Sequence, residues 1–279
     1  MATFKQSSVL PGFGLTFGYS VFMLSALVLI PIAALVLKTA GMEWSEFVAV
    51  LLDPRSVASY RLTFGGALLA AVINGVFGFI IAWTLVRYEF PGRRFLDALI
   101  DMPFALPTAV SGIALTAVFA KNGPLGKYLE EWGIQVAYTW VGVVLALTLI
   151  GMPFVVRSVQ PALLEVQRDL EDAAETLGAS RFTIFWRIIV PTVLPALLTG
   201  FAMALARGIG EYGSVVFISG NLAYKTEITP FLIVMQLEQY HYEQAAALGF
   251  IMLVFSFVML LSINLLQTWG RRRHVRAGR

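Results

Sequence analysis

The chain has 279 residues, of which 58% are hydrophobic and 13% charged, with a net charge of +3 and a mean hydropathy of +0.78. Soluble globular chains carry about a quarter charged residues, so this composition excludes a water-soluble enzyme or nucleic-acid-binding domain and describes an integral membrane protein. With no cysteine and two distant histidines, His241 and His274, a disulfide framework, a thiolate site and a local histidine metal motif are excluded too, and no cofactor is expected.

A helix needs about 20 apolar residues to cross the hydrocarbon core of a bilayer. In chain order, charge-free apolar stretches at about 17–37, 62–86, 102–120, 132–156, 188–206 and 244–270 predict six membrane-spanning helices. The first is too long for the apolar region of a cleaved secretory signal and has no clear small-residue cleavage site after it, so it is expected to stay as an anchor. The third opens with Pro103 and Pro107, near a helix start where proline is best tolerated. Asp101, just ahead of them, is expected to cap it. Residues 212–224 are apolar but punctuated by Gly213, Gly220 and Asn221, and a run of that length is more often re-entrant or interfacial than spanning.

Lysine and arginine in the loops set the orientation. Six spans put thirteen basic residues on the side of both termini and seven on the other. The richer side includes Lys5, Arg87, Arg93, Arg94, Arg157, Arg181, Arg187 and the tail arginines from Arg271 to Arg279. That side is expected to be cytoplasmic. The expected organisation is all-α and polytopic: an N-terminal helix with the first periplasmic loop over 1–59, a transmembrane core over 60–267, and a basic cytoplasmic tail over 268–279.

The most informative segment is the cytoplasmic loop 165–187, between the fourth and fifth spans. Leu170, Ala173, Ala174 and Leu177 fall at i, i+3, i+4 and i+7 and share one helical face. Arg168, Asp169, Glu171, Asp172 and Glu175 take the other faces, and Gly178 sits where a helix stop is expected. A narrow apolar face flanked by carboxylates suits a groove on another protein. The competing reading is a helix lying on lipid. Five carboxylates against two arginines over 165–181 weaken it, because an anionic leaflet would repel them.

The run Asp172-Ala173-Ala174, Gly178 four residues after Ala174, and Ile188 with Pro191 resemble the E-A-A-x-x-x-G loop and its later I-x-L-P in bacterial ABC importer permeases. Asp172 stands for the family's Glu and Val190 for its Leu. The segments FPGRRFLDALIDMPFALPTAVSG, TWVGVVLALTLIGMPFVVRSVQPAL and ARGIGEYGSVVFISGN are similar to the T-type permease subunit of sulfate/thiosulfate importers. Molybdate/tungstate permeases share the ALPTAVSG and RGIGEYG regions but lack a counterpart of GNLAYKTEIT at 220–229. The resemblance implies a type I ABC importer permease fold in the bacterial cytoplasmic (inner) membrane. It implies that a helix carrying Leu170, Glu171, Asp172, Ala173, Ala174, Leu177 and Gly178 docks into a cleft on an ATP-hydrolysing subunit. The implied partners are two copies of that subunit, a second homologous permease, a periplasmic sulfate/thiosulfate-binding protein and membrane lipid, with no nucleic acid. Residue-level reasoning alone leaves a permease homodimer equally open.

No G-x-x-x-x-G-K-[ST] occurs, so any nucleotide must sit on another chain, and no H-E-x-x-H or G-x-S-x-G supports a membrane enzyme. An ATP-independent secondary anion transporter would leave the docking helix unexplained and lacks clear mid-membrane carboxylates for ion coupling. Arg207 and Glu211 close the fifth span, about 28 Å from Ile188 at ~1.5 Å per residue. Arg207, Gly208 and Glu211 are therefore candidates for the translocation pathway, with the guanidinium offering several planar donors to a tetrahedral dianion. The alternative is an interfacial anchor in which Arg207 pairs with Glu211, the less favourable i,i+4 order on a helix.

Overall fold

The computed structural model describes residues 12–166 and 168–277. Lys5 and Arg279 lie outside the described residues, as do the side chains of Arg168 and of the basic tail. Among the described residues the chain is helical, with no strand.

Helix α1 (Phe13–Ala40) exposes nearly all its apolar side chains, as lipid contact requires. It touches the bundle through Leu35 against Gly249 and a Lys38–Glu243 ion pair of 3.5 Å. A π-helical turn, Ser25–Leu29, widens α1 two residues before Pro31. Proline lacks an N–H and crowds the carbonyl four residues back, and the wider turn makes room for it. The short α2 (Trp44–Leu52) follows, then α3 (Pro54–Arg87), started by proline at its first position and by Asp53, whose Oδ2 accepts from Ser56 N at 2.9 Å. Its 34 residues reach about 51 Å, well past the ~30 Å hydrocarbon core.

The expected third span, 102–120, is not one helix. After α4 (Arg93–Ile100), a single turn α5 (Met102–Ala105) stops at Leu106, and α6 (Thr108–Phe119) begins after Pro107. Leu106 is extended, with ψ 136°, because the residue before a proline is pushed out of the helical region. Phe104 packs on Phe154 with ring centroids 5.1 Å apart, while Leu115 and Phe119 reach the cluster around Ala67 and Val143 near the opposite end. Among the described residues five of the six predicted crossings are continuous helices long and apolar enough to span a membrane, and the third is broken.

Helix α7 (Gly126–Glu131) leads to α8 (Trp140–Glu165), which starts later than the expected 132 and runs on past 156. Arg157 is therefore inside a helix rather than in the loop. The loop itself holds α9 (Arg168–Thr176). Then α10 (Arg181–Ile209) repeats the device of α1, a π-helical turn, Phe185–Ile189, two residues before Pro191. Helices α11 (Gly213–Ile218) and α12 (Thr229–Glu238) are too short to cross, in keeping with a non-spanning 212–224. The last helix, α13 (Tyr242–Ala277), carries the tail on as helix to residue 277.

The core is α3, α8 and α10. Without a hydrophobic drive between helices in lipid, close packing of small residues holds such a bundle. A Cβ added at Gly200 of α10 would stand 2.7 Å from Val155 Cα, and one at Gly78 of α3 would stand 2.8 Å from Val155 Cγ1. Both neighbours therefore press on α8 at one residue. An inner cluster around Val155, Val159, Leu85 and Ile189 and an outer one around Ala67, Val143, Leu205 and Ile218 fill the two halves.

Candidate coupling surface and outer polar sites

Helix α9 stands at the end of the bundle where α3 finishes. It closes with Gly178 at φ +83°, the left-handed conformation that glycine adopts without a Cβ penalty. Ala179 N donates to Ala174 O at 3.0 Å and Gly178 N to Glu175 O at 2.9 Å, the paired bonds of a Schellman stop. Ser180 then starts α10, its Oγ accepting from Thr183 N at 3.2 Å.

The predicted apolar face of α9 is divided between two tasks. Ala174 and Ala179 pack against the inner cluster. Leu170 and Ala173 are exposed, and so is Leu177, at 89%. Phe182 adds another exposed apolar side chain just beyond. Glu171, which helical periodicity puts on a polar face, is an anchor instead: Arg87 Nη2 at the end of α3 donates to its Oε1 at 2.5 Å. Arg87 also lies 5.3 Å over the Trp83 ring. Asp172 is exposed. The result is a helix clamped on one side and bare on the other.

Helix α8 carries a polar clamp that sequence reasoning missed. Arg157 donates from Nε and Nη2 to Asp101 at 2.8 and 2.6 Å, and from Nη1 to Asp97 at 2.6 Å and Gln160 at 2.7 Å. This bidentate fork ties α4 and the start of α5 to α8. Asp101 makes no capping bond at α5, so its carboxylate serves Arg157 rather than the cap expected of it. Hydrogen bonds from Gln160 and Arg157, with the charges of Arg157 and Arg93, hold the Asp97 carboxyl below its usual pKa despite desolvation.

At the opposite end, α10 stops at Ile209, so Glu211 lies in the turn before α11. Its side chain is 1% exposed, its Oε2 pairs with Arg207 Nη1 at 2.5 Å, and its Oε1 accepts from Ser214 N and Oγ at 2.9 and 3.0 Å. Arg207 keeps 37% of its side chain exposed. Gly208 allows α10 to approach α3, since an added Cβ would stand 3.3 Å from Ala67 Cβ. The structure thus brings Arg207, Gly208 and Glu211 together. It also forms the i,i+4 pair in its unfavourable order, because the chain leaves the helix before Glu211. A second outer pair escaped sequence reasoning: Arg55 of α3 grips Glu227 with both Nε, at 2.7 Å, and Nη2. Next to it Thr229 Oγ1 lies 3.1 Å from both Ser59 and Thr63 hydroxyls. No local pattern announces partners 172 positions apart.

A family profile described as the inner membrane component of binding-protein-dependent transport systems matches residues 74–274. The chain is 46% identical over 273 residues to the sulfate transport system permease protein CysT of Escherichia coli (strain K12), covering 98% of this chain and 99% of that one. It is 48% identical over 249 residues to the CysT protein of Synechococcus elongatus, covering 89% and 90%. A solved bacterial ABC transporter involved in alginate import superposes with a TM-score of 0.74 at 13% identity, over 92% of this chain and 96% of its own. The methionine ABC transporter MetNI superposes with a TM-score of 0.53 at 16% identity, over 78% and 98%. These two likenesses show the fold, that of type I ABC importer permeases. Matched by profile from α3 into α13 and by relatives over nearly its whole length, the chain belongs to the family of binding-protein-dependent transport system inner membrane components, as a multi-pass permease subunit.

Proposed function

We propose that this chain is a permease subunit of an ATP-driven importer for sulfate and thiosulfate, coupled to a separate ATPase through α9. The observation that carries the coupling role is the division of α9. Ala174 and the Glu171–Arg87 pair seat it on the bundle, while Leu170, Ala173 and Leu177 are exposed. A bare apolar edge fixed to the end of a long helix can receive a push from a partner and pass it on. The same end carries Arg87, Arg93, Arg94 and Arg181, which supports a cytoplasmic position for α9 and both termini.

The substrate assignment is supported by relatives named sulfate transport system permeases, aligned over 98% of this chain in the E. coli case. In the assembly we infer, two ATPase copies and a second, homologous permease complete the transporter, and a periplasmic anion-binding protein delivers substrate. A solved alginate transporter in complex with its substrate-bound periplasmic protein, TM-score 0.73, supports such an arrangement. Arg207 borders the path, steadied by Glu211, with Gly208 permitting the close crossing of α10 and α3. The guanidinium attracts the anion, and the glycine sets how near the two helices come.

The test is uptake of labelled sulfate into cells whose own T-type permease is deleted and replaced by this chain, with the companion subunits present. Thiosulfate should compete and molybdate should not. Equal competition by molybdate or tungstate would move the assignment to that class, and uptake that persists with an ATPase-dead partner would point to a secondary anion transporter. Full activity with this chain as the sole permease would replace the heterodimer by a homodimer.

A further inference from the structure

Tyr224 and Lys225, from the loop after α11, help to line a cavity of about 410 Å³ at the outer part of α3. Arg61, Gly65 and Gly66 of α3, Trp140 of α8, and Tyr224 and Lys225 of the loop line it. The loop is pinned in place: Leu222 N donates to Thr226 Oγ1 at 2.8 Å and Asn221 Nδ2 to Val216 O at 2.9 Å. At this end of the molecule, Lys38, Arg55, Lys121 and Arg207 each pair with a carboxylate, and Lys127 lies over the Tyr128 ring. Among the described residues Arg61 and Lys225 have no such partner, and they line the same cavity. Both are exposed, and two unpaired cations lining one concavity favour a counter-charge there.

We propose that this cavity receives a tetrahedral divalent oxyanion from the outer solution, ahead of the passage beside Arg207. The inference rests on the sulfate/thiosulfate reading of the chain. Two positive charges match a dianion, with the Arg61 fork able to bind two oxygens and the Lys225 ammonium acting as a point charge. Trp140 and Tyr224, which also line the cavity, carry an indole N–H and a hydroxyl able to act as neutral donors. Arg61 lies 26 positions before Arg87 on α3, about 39 Å away and so beyond a ~30 Å hydrocarbon core. The cavity holds a dianion together with part of its water, which suits a site that must release its occupant. A zwitterionic phospholipid carries one phosphate charge with its own ammonium attached and fits two free cations less well.

The chain has no cysteine, so Ala58→Cys on the cavity wall gives this subunit a single thiol and leaves both cations in place. The assembled importer in proteoliposomes is labelled with an anionic methanethiosulfonate reagent, and the modification is read by mass on this chain. Sulfate at about three times its half-protecting concentration should slow labelling about fourfold, and chloride at matched ionic strength should not. Adding Arg61→Gln or Lys225→Gln should raise the half-protecting concentration about tenfold, and Arg61→Lys less. Equal protection by chloride, or sulfate protection that survives both glutamine substitutions, overturns the proposal. So does labelling that ignores sulfate but falls when phosphatidylglycerol replaces phosphatidylcholine, which would assign the cavity to a lipid headgroup. Labelling that ignores sulfate and falls on adding the binding protein would assign the cavity to a protein contact, and it overturns the proposal as well. Sulfate uptake by the same vesicles is measured separately. No uptake by the unaltered importer would sink the substrate reading of the whole chain, whereas normal uptake without protection sinks the cavity alone.

Discussion

Ala173 and Ala174 are neighbours in sequence, yet a carboxylate placed at each should fail in different ways. Ala173 is exposed on the outer edge of α9, whereas Ala174 packs against the inner cluster. Ala173→Asp costs the isolated permease at most about 0.7 kcal/mol in helix propensity, so membrane abundance should stay normal. Against a partner's cleft the same carboxylate would be desolvated and unpaired, at about 2–4 kcal/mol. That corresponds to docking weakened about 30- to 700-fold, at ~1.4 kcal/mol per factor of ten. Ala174→Asp instead puts the charge against the apolar inner cluster and should loosen α9 itself, lowering abundance or thermal stability before any partner is met. The assay is copurification of the ATPase and sulfate uptake, both normalised to inserted permease, alongside a melting curve of the detergent-solubilised subunit. Ala173→Asp with full ATPase recovery and uptake would refute the docking edge. Identical melting curves for the two variants would refute the division of the face.

The Arg87–Glu171 tether is only 13% and 24% exposed at its side chains, so deleting either partner should cost about 1–3 kcal/mol, between surface and buried pairs. Uptake per inserted permease should fall for Arg87→Ala and recover in part in the charge-swapped double variant; no recovery would make the contact incidental. Arg207→Ala should nearly abolish uptake per inserted permease, Arg207→Lys should keep part of it, and Glu211→Gln should be milder. Because Arg207→Ala also strands the buried Glu211 carboxylate, abundance should fall too, and normal uptake by the surviving molecules would leave Arg207 an anchor only. Gly200→Ala sets a methyl 2.7 Å from the Val155 backbone, which cannot swing away, and should destabilise the bundle by about 1–3 kcal/mol. Gly14→Ala, with nothing within 4 Å, is the control, and equal melting of the two would contradict the packing described for α8 and α10.

Hydropathy made α1, α3, α8, α10 and α13 legible because each is a long apolar run, and Gly178 marked the end of α9 because few other residues close a helix there. The break at Leu106-Pro107 was hidden for an equally physical reason. Hydropathy does not register a change of backbone direction, and Pro103 and Pro107 both read as residues tolerated near a helix start. Where α8 begins was misjudged for the same reason, since residues 132–139 carry no charge and run straight into the helix they precede. Periodicity found the face of α9 but not which half of it turns inward, because that depends on the inner cluster lying beneath. Glu171, Asp101 and Glu227 each find their arginine between 56 and 172 positions away, and such pairings exist only once the bundle has formed.

Helix α3 has no proline after its first residue, and an ion pair fastens each end of it. Arg87 holds α9 at one end, and Arg55 holds the approach to α12 at the other. A rod of this kind turns a local shove into a see-saw. Tilting its about 51 Å by about 5° around the middle moves the two tips about 2 Å in opposite directions. That distance is comparable to the helix shifts by which subunit interfaces switch state. A partner closing on α9 at one surface would thus be felt at the far mouth through a single stiff element.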